Sequence, residues 1–93
     1  MKAKTIELAK SFTDIPNVGK RVAEDLKNLG FKTPIDLKNQ DVFTLYKKLC
    51  KLENQVVDPC MLDTFMAIVD FADNGNARKW WHYTNERKKK YNI

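Results

Sequence analysis

Hydrophobic side chains recur at helical spacing along most of the chain, and short turn-forming segments separate the helical stretches. This pattern predicts an all-α fold of about five helices. The five main stretches are residues 5–12, 20–29, 41–52 and 60–72 and a last helix from residue 77, and a short connecting helix is predicted over 34–40.

Two of these stretches are expected to form most of the core. Residues 41–52 carry one apolar stripe, whereas residues 60–72 are hydrophobic on more than one face, which is typical of a buried central helix. Asp63 and Asp70 are seven residues apart there and predict a narrow polar stripe. The stripe of the earlier helix consists of Val42, Leu45, Tyr46, Leu49 and Leu52.

A tight turn is predicted over residues 15–19. Pro16 holds its predecessor in an extended conformation, and Asn17 and Gly19 are residue types that tolerate a positive φ. Apolar residues then recur at helical spacing as far as Gly30, which stands where a helix commonly ends in a left-handed residue. The segment therefore has the order helix, turn, helix.

The order Ile-Pro-x-Val-Gly, followed four residues later by the small Ala23, resembles the helix-hairpin-helix motif of DNA repair and recombination proteins. The resemblance implies a DNA phosphate site at Asn17, Val18, Gly19, Lys20 and Arg21. Gly19 would let the backbone approach a phosphate, and free amides at the helix start would face it. Members of the motif usually have Gly at the position of Asn17. The Asn in this chain therefore weakens the expected phosphate contact more than it weakens the fold.

Lys20 and Arg21 bear on this interpretation. Both fall in the first turn of a predicted helix, where the helix dipole disfavours cations, and a bound anion would resolve that conflict. The alternative is that Glu24 and Asp25, each four residues further on, form exposed ion pairs with them, worth only about 0.3 to 0.5 kcal/mol each.

Composition indicates one small soluble domain. The chain has 93 residues and a net charge of +5, with no apolar run long enough to cross a membrane, so we expect a cytoplasmic protein. Cys50, Cys60 and His82 match no zinc pattern, and two buried thiols are favoured over a disulfide. No catalytic constellation is visible, so the sequence predicts neither an enzyme nor a cofactor nor a metal.

The C-terminal segment is basic and aromatic. We divide the chain into a domain over residues 1–76 and a helix over residues 77–93 that packs on it or extends from it. Trp80 and Trp81 are predicted to pack on the core, although a base-stacking role is the alternative. The run Arg87, Lys88, Lys89 and Lys90 is a candidate second contact with DNA, or else a solvated terminus outside the packed fold.

Several segments together resemble the bacterial pathogenicity-locus family of small helix-hairpin-helix proteins, often labelled mitomycin-resistance proteins. These segments are the hairpin, Gly-Phe-Lys-Thr-Pro-Ile-Asp-Leu, Asp-Pro-Cys, Phe-Ala-Asp and Trp-Trp. The hairpin part is also similar to the C-terminal domain of competence regulators of the TfoX type.

These resemblances imply a helix-hairpin-helix core of the SAM-domain-like kind. Because residues 41–72 repeat the layout of residues 5–29, the core could contain a duplicated pair of hairpins. We therefore predict a non-enzymatic protein that binds DNA regardless of sequence, linked to the response to DNA damage or to competence. The alternative is a module that uses the hairpin to bind a protein partner or to form a homodimer.

Overall fold

The computed structural model describes residues 2–93, and all regular structure in that range is helical, which confirms the predicted all-α class. Four 3₁₀ turns accompany the helices, at Ile6–Leu8, Phe12–Asp14, Pro34–Leu37 and Trp80–Tyr83. The α-helices are α1 (Lys20–Asn28), α2 (Val42–Glu53), α3 (Cys60–Asn74) and α4 (Thr84–Tyr91).

The helix α3 is the centre of the core, as its hydrophobicity predicts. It packs against α2 and α4 and against the turns Pro34–Leu37 and Trp80–Tyr83. Its fully inaccessible or nearly inaccessible side chains come from all around the helix, because neighbours cover it on several sides. They include Leu62, Asp63, Phe65, Ile68 and Phe71.

The ends of the helices follow the sequence closely. The amides of Gly30 and Phe31 donate to the carbonyls of Lys27 and Leu26, which closes the last turn of α1 around a left-handed glycine. Asn54 has the same role at the end of α2, and the left-handed Gly75 ends α3. The predicted helix end at Gly30 is therefore confirmed, and α3 continues two residues beyond the predicted stretch 60–72.

The predicted helix over residues 5–12 is wrong. That segment forms two separate 3₁₀ turns, because Ala9 and Ser11 between them are extended. The Asp14 carboxylate accepts hydrogen bonds from the Lys10 and Ser11 amides, and so a new turn starts at Ser11. The predicted helix over residues 34–40 is likewise a single 3₁₀ turn, which starts after Thr33 as expected.

Three predictions about the burial of side chains in α2 and α3 are wrong. Leu52, placed in the apolar stripe of α2, is 57% exposed. The two cysteines are free thiols, but Cys60 is exposed and Cys50 only partly buried, so the prediction of two buried thiols is wrong. Asp63 is not on a polar stripe; it is completely buried.

The buried Asp63 has its partners in α4. Its Oδ1 lies 2.6 Å from Nε of Arg87, a side chain only 5% exposed, in a charge contact that lacks the direction of a good hydrogen bond. The Thr84 hydroxyl donates to Oδ2 of the same carboxylate at 2.7 Å. These contacts join the first turn of α3 to α4.

The C-terminal segment is therefore part of the packed fold, and the expectation of a solvated terminus outside that fold is wrong. Besides Arg87, Tyr91 stacks on the ring of Phe43 in α2, with ring centroids 5.1 Å apart. A helix also does not begin at residue 77: the 3₁₀ turn Trp80–Tyr83 comes first and α4 begins at Thr84. None of the helices within residues 2–93 combines the length and the apolar character needed to cross a membrane.

Candidate nucleic-acid interface

The turn before α1 is closed by its own backbone and anchored by one side chain. The Val18 amide donates to the Ile15 carbonyl at 3.1 Å, and the Val18 side chain is 1% exposed. Asn17 takes the left-handed conformation with φ 72°. Gly19 does not: its φ of −95° and ψ of −170° are extended, and a Cβ atom there would meet nothing within 4 Å.

Asn17 connects this turn to a segment far away in the sequence. Its Nδ2 donates to the Arg78 carbonyl at 2.8 Å, and its Oδ1 accepts from the Trp80 amide at 3.0 Å. An asparagine at the position where the motif usually has glycine thus tolerates the positive φ and also supplies two tertiary hydrogen bonds. Its side chain is engaged in the fold, whereas its backbone still forms part of the turn.

The first turn of α1 differs from the first turns of the next two helices. No side chain caps α1, and the amides of Lys20, Arg21 and Val22 precede the first intrahelical hydrogen bond, which the Ala23 amide donates to Gly19. By contrast, an aspartate accepts from backbone amides at the start of both α2 and α3. These caps are Asp41, bonded to the Phe43 and Thr44 amides, and Asp58, bonded to the Cys60 amide.

Two exposed cations accompany these uncapped amides. Within residues 2–93, neither Lys20 nor Arg21 has a carboxylate within 4.0 Å. The two ion pairs in that range join Lys38 to Glu7 and Arg87 to Asp63. The alternative of exposed pairs with Glu24 and Asp25 is therefore not realised. Burial raises the pKa of the Asp25 carboxyl, and repulsion by Glu53 acts in the same direction, against a smaller attraction by Arg21.

A further cation, Lys2, lies against the same turn. Its ammonium group donates to the carbonyls of Thr13 and Val18, each at 2.7 Å. These two bonds place a positive charge beside the backbone that leads into α1. The sequence pattern gave no signal for this contact, because Lys2 lies outside any periodic segment and its partner Val18 is 16 residues away.

The second candidate contact, the run 87–90, contains one buried residue and three exposed ones. Arg87 points inward to Asp63 and donates from Nη1 to the Ile93 carbonyl at 2.7 Å, so its guanidinium is not available to a ligand. Lys88, Lys89 and Lys90 remain exposed in the last turn of α4. The hairpin residues 17–21 are adjacent in space, and Asn17 links them to residues 78–80 rather than to this run.

One polar cluster elsewhere has perturbed pKa values. Burial would raise the pKa of the Asp70 carboxyl, but hydrogen bonds from Tyr83, Asn74 and Asn76 outweigh it and hold that pKa below its ordinary value. Burial, together with the Asp70 contact at 2.6 Å, raises the pKa of the Tyr83 hydroxyl. The bonds from Asn76 and Tyr83 fasten the segment after α3 back to that helix, and the bond from Asn74 lies within α3, so the cluster has a structural explanation.

Within residues 2–93, no group of three or more His, Cys, Asp or Glu side chains could hold a metal ion. Cys60, the exposed thiol, is a poor nucleophile because the hydrogen bond to Asp58 raises its pKa, and burial adds to that effect. The uncapped start of α1 combines unpaired amides with two exposed cations, which is an arrangement that suits an anion.

Comparisons with known proteins give a family and a relative for this chain. The sequence model of a family described as "Cdd1: Pathogenicity locus" matches residues 5–89. The chain is also 42% identical over 77 residues to the mitomycin resistance protein McrB of Streptomyces lavendulae, across 83% of this chain and 73% of that protein. No solved structure matches significantly.

Proposed function

The chain belongs to the pathogenicity-locus family, and on that premise we propose that it is a non-enzymatic protein that binds the DNA backbone regardless of sequence. The observation that carries the proposal is the first turn of α1. Its amides are unpaired, and its two exposed cations, Lys20 and Arg21, have no carboxylate within 4.0 Å among residues 2–93. A phosphate would accept from the amides and neutralise both charges.

The surroundings of α1 support the same ligand. Gly19 has open space where a side chain would stand, and the Lys2 ammonium group adds a positive charge next to the turn. The whole chain carries a net charge of +5. Backbone amides and cations contact phosphates without reading bases, so binding of this kind is independent of sequence.

The similarity to a mitomycin resistance protein supports a link with DNA damage. That name belongs to the Streptomyces relative, and we extend it to this chain as part of the proposal. A non-enzymatic protein would act there by covering DNA or by recruiting other proteins to it.

The test is a titration of DNA duplexes of unrelated sequence with the protein at several salt concentrations. Binding is measured by fluorescence anisotropy. We expect similar affinities for all duplexes and a fall of log K with log salt of about 0.9 per phosphate neutralised. The double variant Lys20→Glu, Arg21→Glu should lose affinity and have a shallower slope. Its matched control is Lys48→Glu, Lys51→Glu, which changes the charge equally on exposed positions of α2. Equal losses in the two variants would refute the α1 site.

Gly19→Ala provides a finer test of the same site. The extended backbone and the open space at Gly19 admit a methyl group without strain, so the fold should be retained. A phosphate held close to the backbone would meet that methyl group, and DNA affinity should fall while the melting temperature stays close to that of the parent protein. An unchanged affinity would show that no phosphate approaches this closely.

A protein-interaction module is the second candidate function. A groove of about 400 Å³ lies between the ends of α1 and α2, lined by Leu29 and the exposed Leu52 among others, and Val56 nearby in the sequence is 85% exposed. Exposed apolar side chains of this kind are typical of protein contacts. The solution mass, measured beside the titration, separates the two: a dimer with no affinity for DNA would favour this candidate.

A further inference from the structure

Two neighbouring tryptophans differ sharply in their exposure. Trp80 is partly buried and packs against the core, whereas Trp81 is 54% exposed. The two indole rings meet edge to face, with centroids 5.6 Å apart and an angle of 84°, and the ring of His82 lies 6.1 Å beyond Trp81. Trp80 therefore supports Trp81 from one side while much of the Trp81 ring is left to solvent.

The position of Trp81 is fixed relative to the hairpin. Asn17 accepts the hydrogen bond of the Trp80 amide, and Trp81 is the next residue along the chain. From Asn17 to Lys20, where the free amides begin, the backbone spans at most about 10 Å. The exposed ring and the proposed phosphate site are thus close together, within a distance that a few nucleotides span.

The charges of this surface select the kind of ligand. Lys79 directly precedes the tryptophans and is exposed, as are Lys20 and Arg21 on the other side of Asn17. A ligand that suits both features is anionic and carries flat aromatic faces. Nucleic acid with unpaired bases has both, whereas the bases of an intact duplex are stacked on one another and hide their faces.

We propose that the preferred DNA of this protein carries unpaired bases beside the backbone held at α1, and that one such base stacks on Trp81. This inference rests on the proposed DNA-binding function and names its substrate class: duplex ends with overhangs, gaps or locally opened duplex. Each stacked base typically strengthens binding about fivefold or more, without preference for one base.

The experiment compares three probes that share one duplex: a blunt end, an overhang of about four thymidine nucleotides, and the same overhang with abasic nucleotides. The last two carry the same phosphates and differ only in their bases. We expect the parent protein to bind the thymidine overhang at least about fivefold more tightly than the abasic one. Trp81→Ala should abolish that difference, and Trp81→Phe should retain part of it.

Two comparisons separate stacking from other effects. Leu52→Ala removes an equally exposed apolar side chain away from the hairpin and should leave the preference intact. The salt dependence should be unchanged in Trp81→Ala, since no charge is lost, but shallower in Lys20→Glu, Arg21→Glu. Trp81 fluorescence, read in a Trp80→Phe background, should be quenched by the thymidine overhang and not by the abasic one.

The outcomes distinguish this inference from the proposed function. If the parent protein binds all three probes equally, the stacking role is refuted while DNA binding stands. If Trp81→Ala weakens all three probes to the same degree, Trp81 contacts DNA without reading unpaired bases and the inference is again wrong. If no probe binds the parent protein, the proposed function itself fails, and Trp81 becomes a candidate contact for a protein.

Discussion

The chain has two basic segments that look alike in the sequence and differ in the structure. Lys20 and Arg21 occupy the first turn of α1, whereas Lys88, Lys89 and Lys90 occupy the last turn of α4. The helix dipole favours cations at a C-terminus and disfavours them at an N-terminus. The lysines of α4 therefore suit the fold as it stands, and the cations of α1 are accommodated best by an external anion.

The residue Arg87 makes the contrast stronger. It belongs to the basic run in the sequence, yet it is buried against Asp63 and holds α4 to the central helix. The number of consecutive cations thus does not show which of them are exposed to a ligand. Where a cation lies along its helix, and whether the fold already supplies its counter-charge, separates a structural cation from a candidate ligand contact.

The largest effect is expected from Arg87→Ala. The Asp63 carboxylate would stay buried without its counter-charge, which should lower the free energy of unfolding by about 3 to 5 kcal/mol. Urea denaturation followed by circular dichroism measures this loss. The adjacent exposed Lys88→Ala is the control and should change stability by less than about 0.5 kcal/mol.

The double variant Asp63→Leu, Arg87→Met completes that test. Replacement of both members of a buried pair by apolar groups is often close to neutral, so much of the stability should return. Equal stability of Arg87→Ala and Lys88→Ala would contradict the comparison, because all four residues of the run would then be surface cations.

A smaller loss is expected from Asn17→Ala, which cuts the connection between the hairpin and residues 78–80. Two hydrogen bonds at 2.8 and 3.0 Å disappear, each worth about 0.5 to 1.5 kcal/mol, and alanine is strained at the positive φ of this position. We expect a total of about 2 kcal/mol or more by denaturant titration. Asn17→Gly loses the same bonds without the strain and should cost about 1 kcal/mol less.

If the two Asn17 variants are equally stable, the backbone strain is negligible. The two hydrogen bonds then account for the contribution of Asn17 to stability. If neither differs from the parent protein, Asn17 does not fasten the tryptophan segment. The position of Trp81 beside the hairpin would then lose its support.

The sequence predicted the parts of the fold that depend on local signals. The apolar period gave α2 and α3, and Gly30 and Gly75 marked the ends of α1 and α3. The failed helix over residues 5–12 also had a local signal, since Ser11 followed three residues later by Asp14 is a capping pattern that starts a new turn. Ile6 and Phe12 are buried, but from separate turns rather than from one helix face.

The rest depended on contacts between distant residues. No sequence neighbour of Asp63 indicates that its partner is Arg87. Likewise, no sequence neighbour of Asn17 indicates that its side chain forms hydrogen bonds with the backbone of residues 78 and 80. Trp80 and Trp81 have the same residue type and adjacent positions, so only the packing distinguishes the partly buried ring from the exposed one. For the candidate site, the sequence located the hairpin cations but not the Lys2 contact.

The smallest expected effect is a change in the free energy of unfolding, and its sign tests whether the two basic segments differ. Without DNA, Lys20→Gln, Arg21→Gln should raise the free energy of unfolding by about 0.3 to 1 kcal/mol at low salt, because the helix dipole disfavours cations in the first turn and neutral side chains add no repulsion of Glu24 and Asp25. The opposite pair, Lys89→Glu, Lys90→Glu at the end of α4, should lower it by a similar amount. Both shifts should shrink near 0.15 M salt, where exposed charges are screened. A gain of stability combined with a loss of DNA affinity would mean that the α1 cations serve a ligand at the expense of the fold. A loss of stability in the α1 variant would mean that they serve the fold, and the distinction between the two basic segments would disappear.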